Sequence, residues 1–171
     1  MESIMRTTSP LHEKFPINHL KSREIRYIIS NKSLNVDQIV MVKVSYSSHC
    51  YTKSIKDGSV YSPESLVDDG QNKRIICPDR HWCSFELNNI MDNLASAKIY
   101  ESKDKYVTYA EVLNFRGSIC SYEVYFYVKK RGSVIYLEVV SAYSRDKAHE
   151  GNATKRRSGS RINLGTLLRK A

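Results

Sequence analysis

Val134-Ile135-Tyr136-Leu137-Glu138-Val139-Val140-Ser141-Ala142-Tyr143-Ser144-Arg145-Asp146 is the stretch on which the fold turns. It opens as a β-branched and aromatic run, the composition of a strand. It closes on Ser141, Tyr143, Ser144 and Arg145, which places hydroxyls, a phenol and a guanidinium where the strand runs out. A strand end is fixed on one side and open on the other, so it suits functional side chains. Taken by itself the stretch reads equally as a core strand followed by a polar turn.

Working back from it, Tyr106 to Leu113 and Cys120 to Lys130 are further strands, and Ala97 to Tyr100 joins them. The turns carry Gly117 and Gly132, and connections this short force antiparallel neighbours. Tyr122, Val124, Phe126 and Val128 alternate with Glu123, Tyr125 and Tyr127, which gives one apolar face. Upstream, Ser84 reads as a helix N-cap before the stripe Phe85, Leu87, Ile90, Met91, Leu94, a helix lying on that core. Gln38 to Tyr46 is a strand with Val40, Val42, Val44 and Tyr46 on one face. Arg23 to Ser30 fits a strand or a short helix. Arg74 to Cys77 fits a short strand. Lys56 to Lys73, with Asp57-Gly58, Pro63 and Asp69-Gly70, reads as an exposed loop.

The expected fold class is therefore α+β: an antiparallel sheet ending in a C-terminal meander, with a helix packed on one face. Residues 1–20 form an N-terminal arm broken by Pro10 and Pro16. Residues 21–146 form one domain, as suits a chain of 171 residues. Residues 147–171 form a basic tail whose Leu164, Leu167 and Leu168 either dock on the domain or stay free.

Apolar residues make up 41% of the chain and the mean hydropathy is −0.47. Runs such as Ile39-Val-Met-Val42 are far below the roughly 20 residues that span a bilayer. Residues 1–20 hold no apolar signal core. The expectation is a cytoplasmic protein without a membrane partner, whose four cysteines are reduced thiols. With 27 basic and 18 acidic residues the net charge is +9, which points to a polyanion such as nucleic acid. Lys155, Arg156, Arg157 and Arg161 sit in a stretch without acids and are the expected RNA-binding residues. The 12 tyrosines add rings on which unpaired bases stack, although tyrosine is also a good strand residue.

Three polar clusters lie at the edges of expected elements: Ser48-His49-Cys50-Tyr51-Thr52, Cys77-Pro78-Asp79-Arg80-His81-Trp82 and Ser141-Ala142-Tyr143-Ser144-Arg145. Zinc would have ligand types here, but no C-x2-C pair fixes two of them from one turn. Thiol chemistry at Cys50 lacks a well-placed base, because His49 is its immediate neighbour and points to the other face of extended chain. RNA cleavage by the RNA's own 2′-hydroxyl fits the residue types best. It needs a base, cations or donors around the phosphorane and an acid for the leaving oxygen, with no metal and no cofactor. His49 is the expected base. Arg80 and Arg145 clamp the phosphate. Tyr143, with Ser141 and Thr52, positions or protonates.

The segments Ser45-Tyr46 with Ser48-His49-Cys50-Tyr51-Thr52, Cys77-Pro78-Asp79-Arg80, Tyr122-Glu-Val-Tyr-Phe126 and Ser141-Ala-Tyr-Ser-Arg145 resemble an uncharacterised bacterial and phage-associated family. Its pattern runs Ser-Tyr-His-Cys-Phe-Thr, Pro-x-Arg, Tyr-Glu-Val-Tyr-Phe and Ser-Ala-Tyr-x-Arg. Here Ser47-Ser48 precede His49 and a tyrosine stands at 51. More distantly, a helix followed by an antiparallel meander is similar to the barnase–EndoU–colicin–RelE (BECR) group of RNases. That resemblance implies a toxin-like endoribonuclease of a toxin–antitoxin kind, with an antitoxin or immunity protein as its neutralising partner. Two readings without catalysis stand beside it: a nucleic-acid-binding or regulatory protein using the same face, and a protein-interaction module.

Overall fold

The structure, a computed structural model, describes residues 15–31, 36–56, 59–145 and 159–171. The expected meander is its centre. Strands β6 (Ile99–Ser102), β7 (Lys105–Leu113), β8 (Ile119–Arg131) and β9 (Val134–Arg145) are successive antiparallel neighbours. Gly117 and Gly132 turn the β7–β8 and β8–β9 hairpins at φ 76° and 61°, a region open to glycine at little cost.

The sheet is not purely antiparallel. β1 (Arg23–Asn31), a strand rather than a helix, pairs with β2 (Val36–Tyr46), and β2 lies parallel to β9, with Val42 beside Ile135 and Tyr46 beside Val139. A long connection lets β2 enter beside a distant strand in the same direction. The mixed sheet runs β1-β2-β9-β8-β7-β6, with β10 (Arg161–Ile162) at its far edge beside β6. At the parallel pair Val42, Val44, Leu137 and Val139 are fully enclosed, while Lys43 and Glu138 between them are exposed, so one face of the pair is buried and the other is open.

The stretch 56–73 is more than a loop. Leu66–Asp68 forms β4, which pairs with β5 (Lys73–Ile76), and β3 (Thr52–Ser54) completes a three-stranded sheet. The helix also starts earlier than Ser84. α1 spans Pro78–Ser84 and α2 spans Leu87–Asp92. Pro78 stands at the first helical position, where its fixed φ helps and its missing N–H costs nothing. Ser84 is instead the buried last residue of α1, its hydroxyl donating to the His81 carbonyl at 2.6 Å.

Leu87, Met91 and Leu94 pack against Tyr122, Val124 and Phe126 in one core. The Tyr27 hydroxyl donates to the Met91 carbonyl and the Tyr46 hydroxyl to Asn88 Oδ1, which fixes α2 across β1 and β2. The C-terminal end docks. Arg161–Ile162 forms β10 against β6, and α3 (Leu164–Lys170) buries Leu164, Leu167 and Leu168 in the core. Gly165 is needed there, since a Cβ would fall 2.4 Å from Ile29 Cγ2. The tail is thus part of the domain from β10 onward, while Lys155, Arg156 and Arg157 lie outside the described residues.

The arm likewise ends in contact with the domain. His19 stacks on Phe85 at 3.9 Å, Nε2 of His19 lies 2.8 Å from Ser84 Oγ, and His81 Nε2 reaches the Pro16 carbonyl. Burial, aided by nearby His81, lowers the His19 pKa to about 4. The folded value lies below the unfolded one near 6.5, so the unfolded chain takes the proton first. Stability is complete above pH 6.5 and is lost as pH falls toward 4. Urea midpoints measured across that window are expected to fall with pH, and His19→Phe, which keeps the ring stack, should flatten the decline. An unchanged slope would remove His19 as the cause.

Candidate functional site

A β-bulge decides which side chains meet. Tyr125 faces Ser141 but Phe126 faces Val139, so Val140 is an extra residue in β9. Strict alternation from Leu137 and Val139 would turn Ser141, Tyr143 and Arg145 into the helix-covered core. The bulge puts Ala142 inward, fully buried. It sets Ser141, Tyr143 and Arg145 on the outer face, opposite Tyr125, Glu123 and Ser121. The bulge is held from the side. Ser47 N–H donates to the Val139 carbonyl and Ser47 Oγ to the Val140 carbonyl.

That anchoring seats the first polar cluster. Beyond β2, Ser48–Cys50 makes one 3-10 turn, capped by Ser47 Oγ accepting from His49 N–H at 3.1 Å. The His49 side chain is 45% exposed, with Nε2 3.6 Å from Asp69 Oδ2. Asp69 is fixed in turn by N–H donors of Gln71 and Asn72 to its other oxygen, and these bonds, the Asn72 one first, hold its carboxyl below the usual range. Partial burial, then the Arg74 guanidinium, hold the His49 pKa below 6.5, with Asp69 pulling the other way. The imidazole is therefore neutral at pH 7. In the tautomer that keeps Nε2–H toward Asp69, Nδ1 is the ring's acceptor.

Arg80, in the first turn of α1, ties the three clusters together. Its Nη1 donates to the Thr52 carbonyl at 2.7 Å and the His49 carbonyl at 3.2 Å. Its guanidinium carbon stands 5.3 Å from the Tyr143 ring centre. Arg145 approaches the same ring at 4.4 Å. Tyr125 stacks on it at 5.6 Å. Arg145 Nε donates to Glu123 Oε2 at 3.3 Å, and the Tyr125 hydroxyl donates to the same oxygen at 2.9 Å. Glu123 is only 1% exposed, a depth at which a carboxylate requires such partners.

Of the expected residues, Arg80, Tyr143 and Arg145 are in direct contact, and His49 joins them through its carbonyl. Ser141 shares their face. Thr52 has to be corrected. It is fully buried, its hydroxyl donates to the Ser48 carbonyl at 2.8 Å and accepts from Arg74 Nε at 2.7 Å. That proton is committed, so Thr52 serves the site through its carbonyl and not as a donor to a substrate. Cys50 is also enclosed, with its thiol on the Val139 carbonyl and its pKa pushed up to about 12 by burial, the reverse of an activated nucleophile. Arg161 sits on β10, opposite Tyr100 and away from this cluster.

Asp69, Arg74, Glu123 and Tyr125 escaped the sequence reading. Glu123 left a signal, an acid amid the apolar Tyr122–Val128 run. Asp69 looked like a turn residue, which it also is. Among the described residues, the guanidiniums of Arg74, Arg80 and Arg145 stand with the carboxylates of Asp69 and Glu123.

Among the described residues, no three of His, Cys, Asp and Glu are grouped to hold a metal ion, and no helix is long and apolar enough to cross a membrane. No curated protein and no solved structure matches the chain. A family model matches residues 10–171, nearly the whole length, and on that match the chain belongs to the YjaZ family.

Proposed function

We propose that the protein is an endoribonuclease that needs no metal and cuts RNA by 2′-hydroxyl attack. The observation that carries this reading is Arg80, which hydrogen-bonds the His49 carbonyl while its guanidinium faces the Tyr143 ring that Arg145 also covers. A neutral imidazole beside a carboxylate, next to guanidiniums with donors to spare, suits a reaction that moves one proton and builds charge on a phosphorane. His49 Nδ1 takes the 2′-hydroxyl proton. The 2′-oxygen bonds to phosphorus, the bond to the 5′-oxygen breaks, and that oxygen is protonated by the Tyr143 hydroxyl or by water. Arg80 and Arg145 hold the phosphate oxygens, and Ser141 positions the sugar–phosphate beside them. In this reading the fold is of the BECR kind, the protein acts in the cytoplasm as a toxin, and an antitoxin or immunity protein covers the site.

Purified protein with excess chelator is expected to cut single-stranded RNA to products ending in 2′,3′-cyclic phosphate, and to leave a strand with a 2′-deoxy sugar at the cut position intact. The rate should rise with pH to a plateau whose midpoint lies below 6.5, since the lowered His49 pKa frees the base early. Salt-sensitive RNA binding without cleavage would sink this reading in favour of a non-catalytic nucleic-acid-binding protein. Binding to a protein alone that persists at high salt would favour an interaction module.

A further inference from the structure

The outer sheet face does not end at Tyr143. Along β8, Tyr125, Tyr127 and Lys129 alternate with the buried Val124 and Phe126 and so share the face of the candidate site. Lys129 stands opposite Tyr136 of β9. Cations lie over these rings. Lys129 Nζ is 4.9 Å from the Tyr127 centre. Lys105 Nζ is 5.9 Å from Tyr127 and 6.0 Å from Tyr125. The Arg131 guanidinium is 5.7 Å from Tyr136. Tyr125 in turn stacks on Tyr143, so rings and cations run unbroken from the candidate site toward the β8–β9 turn.

We propose that this strip, centred on Tyr127 and Tyr136, binds unpaired RNA leading into the cleavage site; it rests on the ribonuclease reading and names its substrate class as single-stranded. Two observations select that occupant. The rings are partly exposed, and only a base freed from a duplex offers its face to such a ring. The charge is modest: Lys105, Lys129, Arg131 and Lys43, which stands beside Tyr136, meet Asp104, whose carboxylate accepts from the Tyr127 hydroxyl at 3.3 Å, Glu138, which stands opposite Tyr127, and Glu24, 3.8 Å from Lys43. A surplus of one is a weak grip on duplex phosphates, so stacking dominates.

The test is fluorescence anisotropy on the full-length chain. The probes are a short oligouridylate with 2′-O-methyl sugars, which cannot be cut, and its duplex with oligoadenylate. Tyr127→Ala and Tyr136→Ala are each expected to weaken single-strand binding about tenfold, while Tyr127→Phe binds as wild type and the duplex binds weakly to all. Lys129→Ala should lower the slope of log affinity against log salt by about 0.7. Cleavage of a dinucleotide, which reaches only the His49 site, should be unchanged in the tyrosine variants.

Unchanged single-strand binding in both alanine variants overturns the proposal, and so does a duplex bound as tightly as the single strand. Polyglutamate binding that needs the same tyrosines, without RNA binding, assigns the face to an acidic protein instead. The two readings fail separately. A wild type that binds through Tyr127 but cuts nothing loses the ribonuclease. A wild type that cuts while the variants bind normally loses the strip.

Discussion

His49→Ala is expected to slow single-turnover RNA cleavage by about 10²- to 10⁴-fold, the range for removing a positioned base, while leaving the fold intact. The reason for separating the two effects is structural. The His49 ring is 45% exposed, and it is paired with Asp69 at 3.6 Å. What the fold uses of His49 is its backbone: the carbonyl accepts from Arg80 and the N–H donates to Ser47 Oγ. Alanine keeps both. Asp69→Asn supplies a second readout that a structural role would not move. Asp69 raises the His49 pKa against the lowering by burial and Arg74. Its removal should therefore shift the midpoint of the rate profile to still lower pH. Full activity in His49→Ala, with unchanged urea unfolding, would remove His49 as the base.

The meander was legible because its alternation is local and its turns carry glycine. The apolar set Tyr122, Val124, Phe126 and Val128 does face the helices, and Gly117 and Gly132 do turn the hairpins. The parallel pairing of β2 with β9 was not legible. Both strands are uniformly apolar inside, and nothing in either records which distant strand lies beside it or in which direction. Of the small sheet the sequence shows only its middle strand, at Arg74 to Cys77, because β3 and β4, three residues each, are too short to display a period. The helix start was misplaced between two genuine signals, a serine that suits an N-cap and a proline that suits the first helical position, and the proline won.

The site was legible in its residue types and not in its geometry. His49, Arg80, Tyr143 and Arg145 stand out in the sequence because hydroxyl, imidazole and guanidinium groups lie at three element ends. What brings Tyr143 and Arg145 to the face they occupy is one extra residue, Val140. A bulge of this kind has no pattern in sequence, since it is an interruption of the pattern. Thr52 illustrates the opposite failure. Its hydroxyl type was right for a phosphate donor, but a buried hydroxyl satisfies its nearest carbonyl, here that of Ser48.

Arg145→Gln is expected to destabilise the protein by about 3 kcal/mol, read as a lowered urea midpoint at unchanged slope. Glu123 is 1% exposed, and Arg145 is the guanidinium against it, 23% exposed itself. Removing one partner of a buried pair costs roughly 3–5 kcal/mol because the remaining charge has lost its counter-ion without regaining water. The low end applies here because Arg145 is partly solvated and Tyr125 still donates to Oε2. The double variant Glu123→Gln with Arg145→Gln should recover most of the loss, since two amides need no counter-ion. Arg145→Lys should fall between, keeping the charge but losing the planar group that covers Tyr143. Equal losses in single and double variants would mean that Arg145 acts by packing on the ring alone. Recovery of stability without recovery of cleavage would separate its two duties: Glu123 anchors the guanidinium from one side, and the donors left over are what a phosphate would meet.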